Sequence, residues 1–227
     1  MKNTIKLLAV IALFGGAVTA SAQEYKSHEV ANAPAFNSIE VSGGDVNVYF
    51  SQGEKHSFSI NGPVKAVKAT KIKVKNNTLI IDYNEPFFMG DDNDLSVYVT
   101  APNINRIVVS GEADFESKTA FQGKDLTIKT LKNGEVSMKY LSVGQINIDA
   151  KSTSSVDLDY VEANLINVAS QDRAEVELSG STDQMKVLKK GMLAEIDTEK
   201  LIIKNTGNSG ANAEQKVAQD GSVEFVF

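Results

Sequence analysis

The stretch that decides the fold is residues 135–194, which read EVSMKYLSVGQINIDAKSTS, SVDLDYVEANLINVASQDRA and EVELSGSTDQMKVLKKGMLA when divided into three lines of equal length. The three lines align without gaps. Val136, Val156 and Val176 share one position, and Ile196 continues the series at the same interval. A fixed period of about 20 residues, with apolar and polar residues alternating, indicates a solenoid in which each repeat forms one coil.

A second apolar series runs through the same region and begins closer to the N-terminus. Its members start at Ile107, Leu126, Ile146, Ile166 and Met185, and they are almost evenly spaced. A short strand buries too little apolar surface to be stable alone, whereas coils stacked ~4.8 Å apart place each series in one buried column. All four prolines precede residue 103, so none interrupts the ladders between these coils.

The remaining sequence divides around these repeats. Residues 23–35 are polar and irregular and are predicted to form a flexible leader. Residues 36–100 alternate like strands, with a hairpin predicted at Asn76-Asn77 and a short helix over 64–71. Residues 101–200 hold the regular repeats and 201–227 a terminal cap. The sequence therefore predicts an all-β fold over 36–227: one parallel β-helix-like solenoid with coils of about 20 residues and an N-terminal β section.

The first 22 residues are typical of a secretory signal peptide. Lys2 and Lys6 precede a short apolar run at 7–14, and Ala20-Ser21-Ala22 matches a cleavage site that leaves Gln23 as the new N-terminus. The run is shorter than the ~20 residues needed to span a bilayer, so we expect no transmembrane anchor. The exported chain is expected in the periplasm, on the cell surface or in the medium.

Composition excludes several classes of function. The chain has no cysteine, which rules out disulfides, thiolate metal sites, a cysteine nucleophile and a lipid anchor on an N-terminal cysteine. Removal of Lys2 and Lys6 with the signal peptide takes the formal net charge from −6 to −8. Because such a chain repels phosphate backbones, we expect no nucleic acid partner. The two histidines, His28 and His56, are interpreted as surface residues, since a metal site would need both.

Four short motifs in a fixed order resemble a known family, the "putative auto-transporter adhesin, head GIN domain" family of exported Bacteroidetes proteins. They are Phe36-x-x-Ile39-x-Val41-x-Gly43-Gly44-Asp45-Val46, Val74-Lys75-Asn76-Asn77-Thr78-Leu79-x-Ile81, Val97-Tyr98-Val99-Thr100-Ala101-Pro102-x-Ile104 and Ile107-x-Val109-Ser110-Gly111-x-Ala113-Asp114. The resemblance runs from about Phe36 to the C-terminus. It implies a β-helix-like solenoid and supplies no catalytic residues.

Stacking the repeats in register predicts columns of carboxylates on one outward sheet. Asp157, Glu177 and Asp197 fall in one column, and Asp159 and Glu199 in the next. Neighbours ~4.8 Å apart and second neighbours ~9.6 Å apart come close to the separations of glycosidase carboxylates. The alternative is a solvated surface, favoured because the chain has no tryptophan to hold a sugar and an exposed sheet gives no burial to raise an acid's pKa.

The loop between residues 84 and 94 carries two further candidates. Asp91, Asp92 and Asp94 supply the hard oxygen ligands that calcium prefers, although the spacing is not that of an EF-hand and a solvated turn is the alternative. Phe87 and Phe88 form an apolar pair that is interpreted as a contact patch or as packing over the open end of the solenoid.

Together these observations favour a non-enzymatic, adhesin-like or cell-envelope binding or structural protein that presents a repetitive surface. The expected partner is an extracellular or envelope protein or a glycan. Two alternatives stay open: a polysaccharide-active β-helix enzyme that uses the surface carboxylates, and a calcium-dependent binding module. A cleft flanked by carboxylates and aromatic side chains would favour the enzyme, and a flat polar surface would favour the binding protein. No cofactor other than calcium is expected.

Overall fold

The computed structural model describes residues 25–84 and 95–204, together with the backbone of two short strands beyond them. In chain order the elements are β1 (Tyr25–Val30), β2 (Ser38–Gln52), β3 (Ser57–Pro63), α1 (Val64–Ala69), β4 (Thr70–Lys75), β5 (Thr78–Tyr83), β6 (Leu95–Ala101), β7 (Arg106–Ser117), β8 (Phe121–Lys132), β9 (Glu135–Ala150), β10 (Ser155–Ser170), β11 (Glu175–Lys190), β12 (Glu195–Ile203), β13 (Glu214–Val217) and β14 (Val223–Val226).

The repeats coil in one direction because consecutive strands from β7 to β12 pair in parallel. Strands β9, β10 and β11 are of equal length, and Val136, Val156, Val176 and Ile196 stack on one another as the sequence predicted. Tyr140 and Tyr160 have φ values of 58° and 55°. These left-handed residues bend their strands, so that each coil turns around a shared apolar interior. The predicted all-β fold is confirmed.

The second apolar series needs one correction. Ile107 stacks on Ile128 and not on Leu126, because the coil that begins at β7 is one residue longer than the coils that follow. From Leu126 onward the predicted column through Ile146, Ile166 and Met185 is confirmed. Leu126 and Ile128 face the same side of their strand, so the alternation in the sequence could not distinguish the two registers.

In the N-terminal section, β2 continues the stack of coils, and β5 and β6 cover it. Strand β2 pairs in parallel with β5 and β6 on one side and with β7 on the other. The predicted hairpin joins β4 to β5 through Asn76 and Asn77, whose φ values are 50° and 57°. The predicted short helix is α1, which ends where the Thr70 hydroxyl donates to the Ala66 carbonyl at 2.8 Å.

The leader prediction was wrong for residues 25–30. They form β1, which pairs antiparallel with β3 along its whole length from Tyr25 to Val30. The strand is held by backbone hydrogen bonds at the edge of the sheet, and its side chains are mostly exposed. Its sequence therefore needs no apolar alternation, which is the signal that sequence reasoning relied on.

Two motif glycines are required by the close stacking of the first coils. Gly43 and Gly111 have φ values of 121° and 93° and are paired with each other in register. A Cβ atom on Gly43 would lie 1.8 Å from the Tyr83 carbonyl oxygen, and one on Gly111 would lie 2.0 Å from the Gly43 carbonyl oxygen. Neither position has room for a side chain, and both need a conformation that glycine adopts readily.

The interior is continuous from the N-terminal section to the repeats. Phe50 packs on Phe115 and Phe121 with ring centroids 6.0 and 6.2 Å apart, and all three side chains are buried. This aromatic cluster joins the covering strands to the first regular coils. Within the described residues no helix is long and apolar enough to cross a membrane.

The alternation of buried and exposed residues on β11 provides a test of the register. Leu178 is 3% exposed, whereas the neighbouring Glu177 is exposed. Leu178→Ala should lower the free energy of unfolding by about 2–5 kcal/mol because it leaves a cavity in the core. Glu177→Ser should change it by no more than about 0.5 kcal/mol. Urea denaturation measures both, and equal effects would contradict the register.

Candidate functional site

One outward side of the solenoid carries two stacked columns of carboxylates, which we call the acidic face. The strand register joins Asp114, Glu135, Ser155, Glu175 and Glu195 in the first column, and Glu116, Ser137, Asp157, Glu177 and Asp197 in the second. The predicted column of Asp157, Glu177 and Asp197 is thus confirmed. Two adjacent carboxylates ~4.8 Å apart repel each other by ~0.9 kcal/mol in water, so nearby cationic groups stabilise this face.

The predicted pairing of Asp159 with Glu199 was wrong. Ser179 belongs to the coil between those of Asp159 and Glu199. It is paired with Lys200, because the pairing of β11 with β12 is irregular after Asp197. The extra residue shifts Glu199 out of the column, as a β-bulge does. Its backbone N–H instead donates to the Asp197 carboxylate at 2.9 Å.

Asp159 is held by contacts on two sides. Its Oδ2 lies 3.7 Å from Lys139 Nζ, and its Oδ1 accepts a hydrogen bond of 2.9 Å from the Ser179 hydroxyl. Next to it, partial burial and the charges of Asp159 and Glu177 raise the pKa of Asp157, against the opposing effect of Lys139 and Lys200. A hollow of about 20 Å³ between these side chains is large enough for a water molecule but not for a sugar.

A larger cleft of about 220 Å³ lies at the N-terminal end of the acidic face. It is lined by Asn47, Tyr49, Asp114, Glu116 and Glu135, with Ser137 at its edge. Burial, followed by the charges of Glu135 and Asp45, raises the pKa of Asp114 to about 6. Sequence reasoning expected no such shift on an exposed sheet. It missed this cleft because the coil that begins at β7 is one residue longer than the regular repeat and thereby places Asp114 beside Glu135.

Aromatic side chains border the acidic face at its N-terminal end and along one lateral edge. In the cleft, Tyr49 packs against Tyr98 with ring centroids 5.2 Å apart, and Lys118 Nζ lies 4.3 Å from the Tyr49 ring centroid. At the corner of the repeats, Tyr140 and Tyr160 stack with centroids 4.9 Å apart and an interplanar angle of 9°. Both corner tyrosines are highly exposed. They occupy the same position in successive repeats, and this signal in the sequence could have revealed the pair.

The other predicted sites are outside the part of the chain that can be described. Asp91, Asp92 and Asp94 of the calcium prediction and Phe87 and Phe88 of the contact patch all fall within residues 85–94. Within residues 25–84 and 95–204, no three carboxylate or histidine side chains converge as metal ligands. This holds for the acidic face as well. A calcium site stays a prediction for the loop.

A different side of the solenoid has a mixed charge distribution. Lys129 Nζ and Lys151 Nζ lie 3.8 and 3.3 Å from the same oxygen of Asp149. Next to this triad, Asn167 donates a hydrogen bond to Asn147 at 2.9 Å, which forms a short amide ladder. The acidic face therefore carries a larger excess of negative charge than this side of the repeats does.

Comparison with known protein families identifies the chain. The family model described as "Putative auto-transporter adhesin, head GIN domain" matches residues 35–223, which is most of the sequence. The chain belongs to this family. The family predicted from the sequence is thus confirmed. A comparison with curated protein sequences gives no significant match for this head GIN domain protein.

Solved structures with the same fold come from Parabacteroides and Bacteroides species. A "putative adhesin" of Parabacteroides merdae aligns with a TM-score of 0.69 at 15% identity, covering 78% of this chain and 74% of its own. A "putative adhesin" of Bacteroides fragilis aligns with a TM-score of 0.59 at 20% identity, covering 78% and 97%. A "putative lipid binding protein" of Parabacteroides distasonis aligns with a TM-score of 0.62 at 13% identity, covering 78% and 74%. These similarities establish the fold of the head GIN domain chain.

The raised pKa of Asp114 predicts a specific pH dependence of stability. Because the folded pKa of about 6 lies above the ordinary value of 3.8, protonated Asp114 stabilises the fold at low pH, and this contribution is lost as the pH rises through 6. Asp114→Asn should remove this loss of stability, because asparagine does not ionise. The variant should gain stability relative to wild type between pH 4 and pH 7, on the order of 1 kcal/mol after solvent screening.

Urea denaturation across this pH range measures the difference. The matched control is Asp125→Asn, which removes an exposed carboxylate that lies outside the acidic face. A difference between Asp114→Asn and wild type that stays constant with pH would contradict the assignment.

Proposed function

We propose that this protein is an exported, non-enzymatic, adhesin-like binding protein that uses the acidic face to attach to a positively charged extracellular or envelope partner. The observation that carries the proposal is the repetition of carboxylates along two columns over successive coils, each column being interrupted once, by Ser155 and by Ser137. A surface of one charge sign attracts a partner of the opposite sign and repels like-charged molecules. Membership in an adhesin family supports a role in attachment.

The exposed tyrosines extend this surface. Tyr140 and Tyr160 follow directly after Lys139 and Asp159, so their stacked rings border the carboxylate columns. Tyrosine is enriched at the centres of protein interfaces because it combines a large apolar ring with a hydroxyl group. A lysine or arginine side chain of a partner would also be attracted to the ring faces. The acidic columns supply long-range attraction, and the tyrosine pair supplies short-range contact.

The acidic face is tested by binding to an envelope fraction and a glycan array, using residues 23–227. Glu175→Gln, Glu177→Gln and Glu195→Gln together should weaken capture of the partner at least about tenfold, which corresponds to about 1.4 kcal/mol. Added sodium chloride should weaken it as well, because exposed charges are screened. One arm adds calcium at constant ionic strength to test the predicted loop site.

The matched control removes the same amount of charge elsewhere. Asp125→Asn, Glu162→Gln and Asp183→Asn lie outside the two columns and should leave capture unchanged. Equal weakening by the two triple variants would assign the effect to net charge and contradict a role for the acidic face.

A second candidate function is supported by the cleft around Asp114. A carboxyl group with a pKa of about 6, beside Glu135 and an aromatic ring, is an arrangement suited to general acid catalysis on a polysaccharide. The test is release of reducing ends from a panel of polysaccharides. Activity that is lost in Asp114→Asn and in Glu135→Gln, but kept in Asp125→Asn, would favour the enzyme. Activity unchanged by all three substitutions would exclude this cleft as its source.

A further inference from the structure

A dense run of lysines lies at the N-terminal end of the fold, on elements that do not contribute to the acidic face. Residues 64–75 read VKAVKATKIKVK and contain five lysines and no acidic residue. The five, which we call the lysine strip, are Lys65, Lys68, Lys71, Lys73 and Lys75. All of them are exposed, two on α1 and three on β4. The negative net charge of the chain conceals this local positive surface.

These lysines lie on the outer side because the apolar residues between them pack against the core. On the helix, Ala66 is buried and Val67 packs against the core, and on the strand Ile72 and Val74 do the same. Successive residues of a strand face opposite sides, so packing of the apolar residues of β4 leaves its lysines on the outer side, ~6.6 Å apart along the strand. The three lysines of β4 therefore form a row along the outer side of the strand.

Within the described residues, few carboxylates are paired with the three lysines of β4. Opposite Lys73 and Lys75 in the hairpin stand Ile80 and Thr78, and only Lys71 stands opposite an acid, Asp82. The Asp82 carboxylate is also 3.4 Å from the Ser42 hydroxyl, which donates a hydrogen bond to it. In the described part of the chain, no ion pair within 4.0 Å involves the three lysines of β4.

We propose that the lysine strip binds an acidic polysaccharide that lies along β4. Lysine is a compact point charge that pairs with carboxylate or sulfate groups without requiring a fixed planar geometry. A slender chain can follow a single row of ammonium groups while staying clear of the acidic face. At physiological salt the field of the acidic face is screened within about 8 Å, so the local charge of the strip governs what binds there.

The composition of the strip argues against two other polyanions. Membrane-surface helices insert apolar side chains into the lipid interface, whereas Val67, Ile72 and Val74 are already used by the core. Single-stranded nucleic acids stack their bases on aromatic side chains, and residues 64–75 contain none.

The proposal is tested by calorimetric titration of residues 23–227 with polygalacturonate at low and at physiological salt. Wild type should bind at low salt and lose affinity as salt is added. Lys71→Gln, Lys73→Gln and Lys75→Gln together should raise Kd at least about tenfold. The three corresponding Arg substitutions should keep the affinity, because they retain the charge.

Matched controls separate the strip from net charge and from the acidic face. Lys186→Gln, Lys189→Gln and Lys190→Gln remove three exposed lysines of β11 and should change Kd less than about twofold. Glu175→Gln, Glu177→Gln and Glu195→Gln should leave polygalacturonate binding intact, so that failure of one surface does not imply failure of the other. Circular dichroism of each variant confirms the fold.

Three outcomes would overturn the proposal. The first is the absence of wild-type binding at low salt, and the second is equal weakening by the β4 and β11 lysine variants. The third is tighter binding to duplex DNA or to vesicles containing phosphatidylglycerol than to polygalacturonate, because it would assign the strip to a different class of polyanion.

Discussion

Every feature of this protein depends on the in-register parallel pairing of coils that repeat at a regular interval. The hydrogen-bonded ladder from β7 to β12 fixes each residue next to its counterpart in the following coil. Apolar counterparts then form continuous buried columns, of which Val136, Val156 and Val176 are the clearest example. Because no coil buries its apolar face alone, the stability of each one depends on its neighbours.

The same in-register stacking also determines the arrangement of side chains on the outer surface. Outward residues are stacked as strictly as inward ones, so a carboxylate at a repeated position becomes a column of carboxylates, and a repeated tyrosine becomes a stacked pair. Repulsion along the acidic columns is partly relieved by Lys139 and Lys118, which lie 3.7 and 2.6 Å from carboxylate oxygens. The remaining excess of negative charge is a cost that the apolar interior outweighs. Such an excess keeps the protein soluble and governs which charged molecules approach it.

The N-terminal section has a different role. Its strands β5 and β6 pair with β2, and the exposed side of its hairpin carries the three β4 lysines of the lysine strip. The acidic columns on the repeats and the row of lysines on β4 divide the surface into regions of opposite sign. We propose a cationic partner for the acidic face and an anionic polysaccharide for the lysine strip, because each region attracts molecules of the opposite charge.

The sequence by itself determined the all-β class, the period of the repeat, the hairpin at Asn76-Asn77, the family and the column of Asp157, Glu177 and Asp197. The family follows from its resemblance to four ordered motifs. The other features follow from local alternation and from spacing, which are properties of a single strand and its repeat. Tertiary structure alone decided the register of the first coil, the pairing of Asp114 with Glu135, the displacement of Glu199 and the docking of β1. Each of these depends on one additional residue in a coil or on backbone hydrogen bonds at a sheet edge. Neither changes which residues alternate, so the sequence pattern is the same with or without them.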